Sequence, residues 1–398
     1  MVRPWFPLVA VWLLAATLPP LVAQVRTGVD VLAKDGCRTL HGRKVGLVTN
    51  HTGRTRDGRR TVDVLHGCQE LTLVALYSPE HGWDGALDEK VGDSQDTATG
   101  LPVYSLYGET RVPTAAMLAG QDTLVFDIQD IGCRFYTYLS TMRNVMTAAA
   151  QHGLRCVVLD RPNPLGGLAI EGPVLAADRQ DFVGAHRIPL RHGLTAGELA
   201  RMIAGEDGVQ VELQIVRCEG WARADRFERT GLPWTNPSPN MRRLTQALTY
   251  PGLGLWEGTN LSVGRGTDTP FEIVGAPWVD GLALAARLQA AALPGVAFVA
   301  VEFTPTASKF RGERCRGVHV LVTDWATFQP VRTGIHLATA LRALHRDAWD
   351  TKKLDWLLKH QPTLDAILAG TDAEAICARW QPELALFRLR RQPFLLYE

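Results

Sequence analysis

The chain lacks the motifs of several common chemistries. Its seven cysteines are scattered without a Cys-X-X-Cys pair, which excludes a zinc knuckle. Its histidines show no metal-ligand spacing such as His-Glu-X-X-His, and the glycines show no dinucleotide fingerprint, so neither a metal nor another cofactor is predicted. The Gly-X-Ser-X-Gly segment of an esterase elbow is also absent.

The chain also lacks an excess of positive or negative charge. The 398 residues include 42 Lys and Arg against 41 Asp and Glu, which gives a net charge of +1. This balance offers no electrostatic basis for nucleic acid or an anionic membrane surface as the main partner. A content of 46% hydrophobic and 21% charged residues is typical of a globular protein, and the length favours two domains.

Long apolar runs are confined to the N-terminus. A stretch from Leu8 to Leu18 is nearly all apolar, follows Arg3, and is too short for a comfortable membrane span. The prolines at 19 and 20 would interrupt a helix, and Ala23 is a small residue at a plausible cleavage point. We therefore expect residues 1–23 to be a cleaved signal peptide. The mature protein would be exported to the periplasm or the medium, without stable membrane insertion.

Four short apolar runs in the first half of the chain are typical of buried strands. They cover residues 45–48, 71–76, 123–126 and 155–159, and helical or loop segments separate them, which favours a mostly parallel sheet. Each run ends in a polar cluster: Thr-Asn-His, Pro-Glu-His, Asp-Ile-Gln-Asp and Asp-Arg-Pro-Asn. Because the carboxyl ends of parallel strands share one edge, we expect these clusters to converge there. Turn preferences alone account for the prolines and glycines of the clusters, but not for Glu80, His81, Gln129, Arg134 and Arg161.

The composition changes near residue 244. A Gly-rich, charged stretch from 250 to 272 is followed by a predicted helix at 281–292, strands at 296–303 and 317–322, and helices at 333–345 and 352–359. These elements predict a smaller α+β domain. The fold class is therefore α/β, with a mostly parallel sheet domain followed by a second, smaller one.

Several long motifs follow one another along the chain, and their order is informative. They are VGLVTNHTG, SPEHG, TGLPVYSLYG, FDIQDIGCRFYTYLSTM, LDRPNPLGG, EGP, IPLRHGLT and WEGTNLSVGRGTDTPFE. Together they resemble the exo-β-N-acetylmuramidase family, from about residue 28 to the C-terminus. The resemblance implies a Rossmann-like domain at 24–243, and a C-terminal domain at 244–398 that closes a cleft holding the active site. It further implies hydrolysis of terminal, β-1,4-linked N-acetylmuramic acid from the non-reducing end of peptidoglycan fragments, so that the partner is a cell-wall saccharide.

Glycoside hydrolysis usually needs an acid and a second carboxylate, and the chain offers candidates for both. Glu80 follows a predicted strand, with a proline before it and Gly82 close behind, and we predict it to be the general acid. Glu257 is the predicted second carboxylate. The alternatives that remain open for this role are Asp130, Asp127 and Glu171. Assistance by the N-acetyl group of the substrate is a further alternative, in which the second carboxylate would orient the amide.

Arginine is the predicted partner for the lactyl carboxylate of the substrate. The candidates are Arg134, Arg161, Arg191 and Arg265, each of which would serve equally well as a structural ion pair. Candidates for stacking on sugar faces are Tyr136, Tyr138 and Trp256. The remaining predicted substrate-binding residues are Asn50, His51, His81, Gln129, Asn163, His192 and Asn260.

Two other classes of function stay open at this point. The first is a non-catalytic muropeptide-binding protein with a two-domain cleft, and the second is an amide or ester hydrolase acting on the same polymer. A carboxylate that is needed for release of free sugar separates the glycosidase from both.

Overall fold

The computed structural model describes residues 24–85 and 92–398, so the predicted signal peptide lies outside the described residues. In chain order the described strands are β1 (Lys44–Thr49), β2 (Thr72–Ser78), β3 (Ser94–Gln95), β4 (Pro102–Ser105), β5 (Thr123–Asp127), β6 (Arg155–Leu159), β7 (Glu171–Val174), β8 (Pro189–Arg191), β9 (Glu212–Val216), β10 (Ile273–Ala276), β11 (Val296–Phe303) and β12 (Cys315–Val322).

The described α-helices, in the same order, are α1 (Gly28–Lys34), α2 (Thr61–His66), α3 (Tyr138–Gln151), α4 (Ala196–Glu206), α5 (Leu244–Leu253), α6 (Gly281–Ala290), α7 (Pro330–Leu344), α8 (Asp355–Leu358), α9 (Gln361–Leu368), α10 (Ala373–Ala378) and α11 (Gln381–Arg391). Short 3-10 helices occupy Arg38–Leu40, Ala177–Arg179, Phe227–Arg229, Gly254–Gly258 and Gln392–Phe394.

The largest sheet has the strand order β3-β4-β2-β1-β5-β6-β9, and its neighbouring strands are parallel except for β3 with β4. The chain runs outward from β1 through β2 to β4 on one side, and from β5 through β6 to β9 on the other. This arrangement confirms the predicted α/β fold. The reversal of strand order between β1 and β5 favours a ligand site beyond the carboxyl ends of the strands.

The central strands send alternate side chains into two hydrophobic cores, one on each face of the sheet. Leu124 and Phe126 of β5 join the core that includes Met142 of α3, whereas Val125 joins the core that includes Leu65 of α2. Successive strand side chains point to opposite faces, so a strand covered on both faces must be apolar at nearly every position. The continuous apolar runs seen in the sequence follow from this three-layer packing.

The C-terminal half contains a smaller antiparallel sheet with the order β10-β12-β11. Helix α6 packs on β11 and β12, and α5 packs along α7. Phe126 of the large sheet and Val318 of the small sheet belong to one continuous buried cluster. Because the two halves share a close-packed core, residues that project between them are held at fixed separations.

Local signals in the sequence position α4 and end α8. The Thr195 hydroxyl accepts from the Glu198 N–H at 3.2 Å, and the Glu198 carboxylate accepts from the Thr195 N–H at 3.0 Å, which together form a capping box at the start of α4. The helix predicted at 352–359 is only partly correct. Residues 352–354 form a turn, the helix begins only at α8, and Lys359 with a left-handed φ of 49° ends it.

The seven cysteines all lie within the described residues and are free thiols. Cys133 and Cys156 are fully buried core residues, in which the thiol packs as a small hydrophobic side chain. Burial and a hydrogen bond with Cys68 raise the pKa of the Cys37 thiol to about 12. Among the described residues no helix combines the length and apolar character that crossing a membrane requires.

Candidate active site

A cavity of about 770 Å³ lies beyond the carboxyl end of β2, between that part of the large sheet and the C-terminal half. Its walls come from the turn after β2, the segment joining β5 to α3, the segment before α5, and loops of the C-terminal half. Six of the predicted site residues line it, namely Glu80, His81, Tyr136, Tyr138, Glu257 and Arg265.

The turn after β2 directs Glu80 into this cavity. His81 has a left-handed φ of 71° and Gly82 a φ of 75°, so the chain turns sharply at the end of the strand. Thr137, which lies at the start of α3, donates a hydrogen bond from its hydroxyl to Oε2 of Glu80. The carboxyl group is therefore oriented by a neighbouring strand connection as well as by its own turn.

The second carboxylate of the cavity, Glu257, lies in the 3-10 helix that follows α5. Its Oε1 accepts a hydrogen bond from Nε of Arg265, and the Glu257 side chain is 14% exposed. Glycines with φ of 84° and 80° flank Arg265, at 264 and 266, and Lys309 donates to the backbone carbonyl oxygen of Glu257. The Gly-Arg-Gly segment thus holds an arginine against a carboxylate at the cavity wall.

An aromatic wall connects the two carboxylates. The ring of Tyr250 lies 4.5 Å from Phe271 and 6.0 Å from Tyr136, both in edge-on geometry. Burial raises the pKa of the Tyr250 phenol, and the negative charges of Glu257 and Glu80 raise that pKa further. Both carboxylates therefore act electrostatically on one phenol, as expected for groups that share a single cavity.

Three of the seven described non-glycine residues with a left-handed backbone conformation line the cavity. His81, Phe271 and Ser308 all line the cavity and have φ values of 71°, 60° and 63°. Residues other than glycine rarely adopt this conformation, which costs on the order of 1–3 kcal/mol, and such residues cluster at functional sites.

Asp130, the alternative second carboxylate, lies outside the cavity lining. Its Oδ2 accepts from the Gly132 N–H at 2.6 Å and lies 3.8 Å from Nε2 of His192. Burial raises the pKa of Asp130 to about 7 and lowers that of His192 to about 3. Nδ1 of His192 accepts from the Leu194 N–H at 3.1 Å, so the neutral ring carries its proton on Nε2, facing Asp130.

Three of the four predicted arginine partners lie outside the cavity lining and bond to other groups of the protein. Arg161 forms a two-point ion pair with Asp127, with distances of 2.6 and 2.9 Å. Arg191 donates to Glu171 at 2.7 Å. Arg134 donates to backbone carbonyl oxygens of the ribbon β7–β8 and of α8, including that of residue 358 at 2.7 Å. Only Arg265 of the four borders the cavity.

The predicted amide residues and His51 likewise make internal contacts outside the cavity lining. The Gln129 amide donates to the carbonyl oxygen of residue 130, the Asn163 amide to that of residue 194, and the Asn260 amide to that of residue 348. Asn50 donates to the Tyr138 hydroxyl at 3.1 Å, and a ring nitrogen of His51 bonds to the carbonyl oxygen of residue 236. The contact of Asn260 lies within the C-terminal half, and the other groups join loops at the edge of the large sheet to one another.

The stacking role expected for Trp256 is wrong, because its side chain is fully buried in the core. Other cavity residues, including Thr137 and Trp356, were not predicted from the sequence. Thr137 directly precedes α3, and a hydroxyl residue is a common sequence signal at that position. Trp356 carries no comparable signal, although it is 52% exposed and lines the cavity. Within residues 24–85 and 92–398, no group of three or more His, Cys, Asp or Glu side chains is placed to hold a metal ion.

A parallel sheet with two carboxylates in one cavity beyond its carboxyl edge has the components that glycoside hydrolysis requires. Comparison with known families identifies the class. The N-terminal model of the exo-β-N-acetylmuramidase NamZ matches residues 45–245, and the C-terminal model matches residues 248–397. The chain belongs to this family and is a glycoside hydrolase, which confirms the resemblance seen in the sequence.

Among characterised proteins, the chain is similar to the peptidoglycan β-N-acetylmuramidase NamZ of Bacillus subtilis (strain 168). The two are 42% identical over 379 residues, which cover 94% of this chain and 92% of the relative. Two crystal structures of DUF1343 family proteins from Bacteroides fragilis NCTC 9343 have the same fold. One has a TM-score of 0.89 at 37% identity and the other 0.76 at 28%. Each match covers 94% of this chain, with 100% and 99% of the respective neighbours.

Proposed function

We propose that this protein is an exported, exo-acting glycoside hydrolase. It releases terminal N-acetylmuramic acid from the non-reducing end of β-1,4-linked peptidoglycan fragments. The observation that carries the proposal is the presence of Glu80 and Glu257 in one cavity, beside the same tyrosine. The name of the Bacillus subtilis relative supports the substrate class, and the family description supports exo action.

Glu80 is the general acid in this proposal. Because Oε2 accepts from the Thr137 hydroxyl, the proton of the acid form is carried on Oε1 and is passed to the leaving oxygen. Thr137 is a positioning residue, since it fixes which oxygen carries that proton.

Glu257 is the second carboxylate, and Arg265 fixes its orientation. It acts directly at the sugar carbon or its attacking water, or it orients the N-acetyl group of the substrate. Arg265 is also the proposed partner of the lactyl carboxylate, since it is the one of the four predicted arginines that borders the cavity.

Export of the mature protein is proposed from the charged start, apolar run and small residue of the first 23 positions. N-terminal sequencing of protein recovered from the periplasm or medium should begin at Gln24. Recovery of the full-length chain from the cytoplasm alone would contradict export.

The test of the activity is turnover of a chromogenic β-N-acetylmuramide by the wild type and by Glu80→Gln. We expect free sugar from the wild type and a fall in kcat of about 10²- to 10⁴-fold in the variant. Glu70→Gln is the matched control, because Glu70 is exposed just before β2, at the opposite end of the same strand. Muropeptide binding without turnover would favour a binding protein, and release of peptide or acetate without free sugar would favour an amide or ester hydrolase.

A further inference from the structure

A second hollow, of about 650 Å³, adjoins the active-site cavity at Glu257. The two hollows share Glu257, Lys309 and Trp356 in their walls. At Gly258 a Cβ would lie only 2.2 Å from the carbonyl oxygen of Lys353, so glycine lets these two backbone segments touch. The second hollow, called the basic groove below, is therefore a continuation of the cavity with a closely packed wall.

Basic side chains outnumber acidic ones in the basic groove, five against two. Some of this charge is already neutralised. Arg179 forms an ion pair with Asp355, and Lys359 forms one with Asp181. The Lys309 ammonium donates to two backbone carbonyl oxygens, and it is more than half buried.

Lys352 and Lys353 differ from these three residues. Both are exposed on the groove wall, and among the described residues neither side chain is engaged in an ion pair. Two adjacent ammonium groups at one wall produce a positive potential that an arriving carboxylate would lower.

Trp356 provides an apolar surface at the junction of the two hollows. Its side chain is 52% exposed, whereas most large aromatic side chains of the chain are buried. An indole with one face in water is suited to the apolar C–H face of a sugar ring, and its N–H remains available for a polar contact. The junction therefore combines a stacking surface with nearby cations, which is the chemistry that binds an acidic sugar.

We infer that the basic groove is a binding subsite for a carboxylate carried by the substrate outside its terminal sugar ring, with Trp356 as the stacking surface and Lys352 and Lys353 as the cations. This inference rests on the proposed function. Two groups of the substrate carry such a carboxylate. One is the lactyl group of the next muramic acid along a peptide-free glycan, and the other is the peptide attached to the terminal muramic acid.

The experiment compares Lys352→Ala/Lys353→Ala with the wild type on three substrates. They are a chromogenic muramide without a further carboxylate, a peptide-free tetrasaccharide with a second muramic acid, and a disaccharide whose muramic acid carries a peptide. For each carboxylate-bearing substrate, kcat/KM is divided by kcat/KM for the muramide. We expect this ratio to fall about fivefold in the double variant, because two exposed ion pairs contribute about that much binding energy. The fall should come mainly from a higher KM. The substrate that shows the fall identifies the source, and 0.5 M salt should reduce the difference.

The matched control is Lys34→Ala/Lys44→Ala, which removes the same charge from two exposed lysines. Lys44 begins β1, at the edge of the sheet opposite the cavity. An equal fall in the control would assign the effect to net charge and overturn the inference, as would unchanged ratios for both carboxylate-bearing substrates in Lys352→Ala/Lys353→Ala.

Calorimetric binding separates this inference from the proposed function. If the wild type hydrolyses none of the substrates, the proposed function fails. Calorimetry would still test whether the groove binds the carboxylate, because a fivefold difference in Kd does not require turnover. The Kd of the tetrasaccharide and of the peptide disaccharide would be compared between the wild type and the double variant. Trp356→Ala should weaken the same binding, and Trp356→Tyr should restore most of it, since tyrosine keeps a stacking face.

Discussion

The carboxyl edge of the large sheet has two parts, which differ in what their polar side chains contact. In the open part, which consists of Glu80, His81, Tyr136 and Thr137, polar side chains line the cavity. In the closed part, polar side chains bond to other side chains or to backbone groups of the protein, and its main members are Asp127, Asp130, Asp160, Arg161, Asn163 and His192. Both parts follow buried parallel strands, so a polar residue at a strand end does not by itself indicate contact with substrate.

The difference between the two parts lies in the number of internal partners. The Asp160 carboxylate accepts from the Tyr397 hydroxyl at 2.6 Å, the Thr195 hydroxyl at 2.7 Å and two backbone N–H groups. The Glu80 carboxyl accepts from Thr137 and faces a cavity. Asp160 thereby joins β6, α4 and the C-terminal residues, which explains why a fully buried carboxylate is tolerated.

The largest predicted effect that tests this comparison is a fall in kcat. Glu257→Gln, which removes the carboxylate of the cavity wall, should lower kcat by about 10²-fold or more, because a positioned acid or base contributes that much. Asp130→Asn makes the same chemical change in the closed part, where one carboxylate oxygen accepts from the Gly132 N–H. It should leave kcat on the chromogenic muramide within about threefold. A large loss in Asp130→Asn with an active Glu257→Gln would instead assign the second carboxylate to Asp130.

The next effect is on stability and concerns the closed part alone. Arg161 is 7% exposed and Asp127 is fully buried, so Arg161→Met leaves a buried carboxylate without its cation. We expect a loss of about 3–5 kcal/mol in the free energy of unfolding, measured by urea denaturation. Arg314→Met breaks the exposed pair with Glu302 and should leave the unfolding midpoint unchanged. Equal effects in the two variants would mean that burial does not distinguish these ion pairs.

Sequence reasoning captured what is local. The four central strands of the large sheet, β1, β2, β5 and β6, and the position of Glu80 after β2 each depend on a short stretch of chain. The partners of the polar clusters were not predictable in the same way. Arg134 donates to carbonyl oxygens more than 220 residues away, and nothing in its own neighbourhood indicates them.

The cavity shows the same limit of local patterns. Lys309 and Trp356 reach it from segments about 50 and 100 residues beyond Glu257, through packing of the C-terminal half. Trp256 was mistaken for a stacking residue because an aromatic beside a candidate acid looks the same whether the core or the cavity receives it. Tertiary packing determines whether such a side chain enters the core or the cavity. Neither the hydrophobic periodicity nor the composition of the sequence encodes that packing.

The smallest effect extends the comparison to a buried charge away from the sheet edge. The His186 ring is fully buried, with Nε2 at 2.7 Å from Glu206 and Nδ1 at 3.4 Å from Asp207. Burial opposes its charge, but the hydrogen bonds and charges of Asp207 and Glu206 outweigh burial, so the pKa of His186 is raised above 6.5. Arg143 and Arg390 in turn bond to these two carboxylates.

The pKa of His186 is higher in the folded state than in the unfolded state. Its charged ring therefore stabilises the fold fully below pH 6.5, and this stabilisation is lost as the pH rises through the raised pKa. The destabilisation caused by His186→Gln, measured against the wild type by urea denaturation, should therefore be largest near pH 6 and smaller at pH 9. Comparison at equal pH cancels the other buried histidines, such as His192, whose lowered pKa acts in the opposite direction. A difference that grows with pH would show that the two carboxylates do not hold a charged ring, and that burial dominates this site as it does at His192.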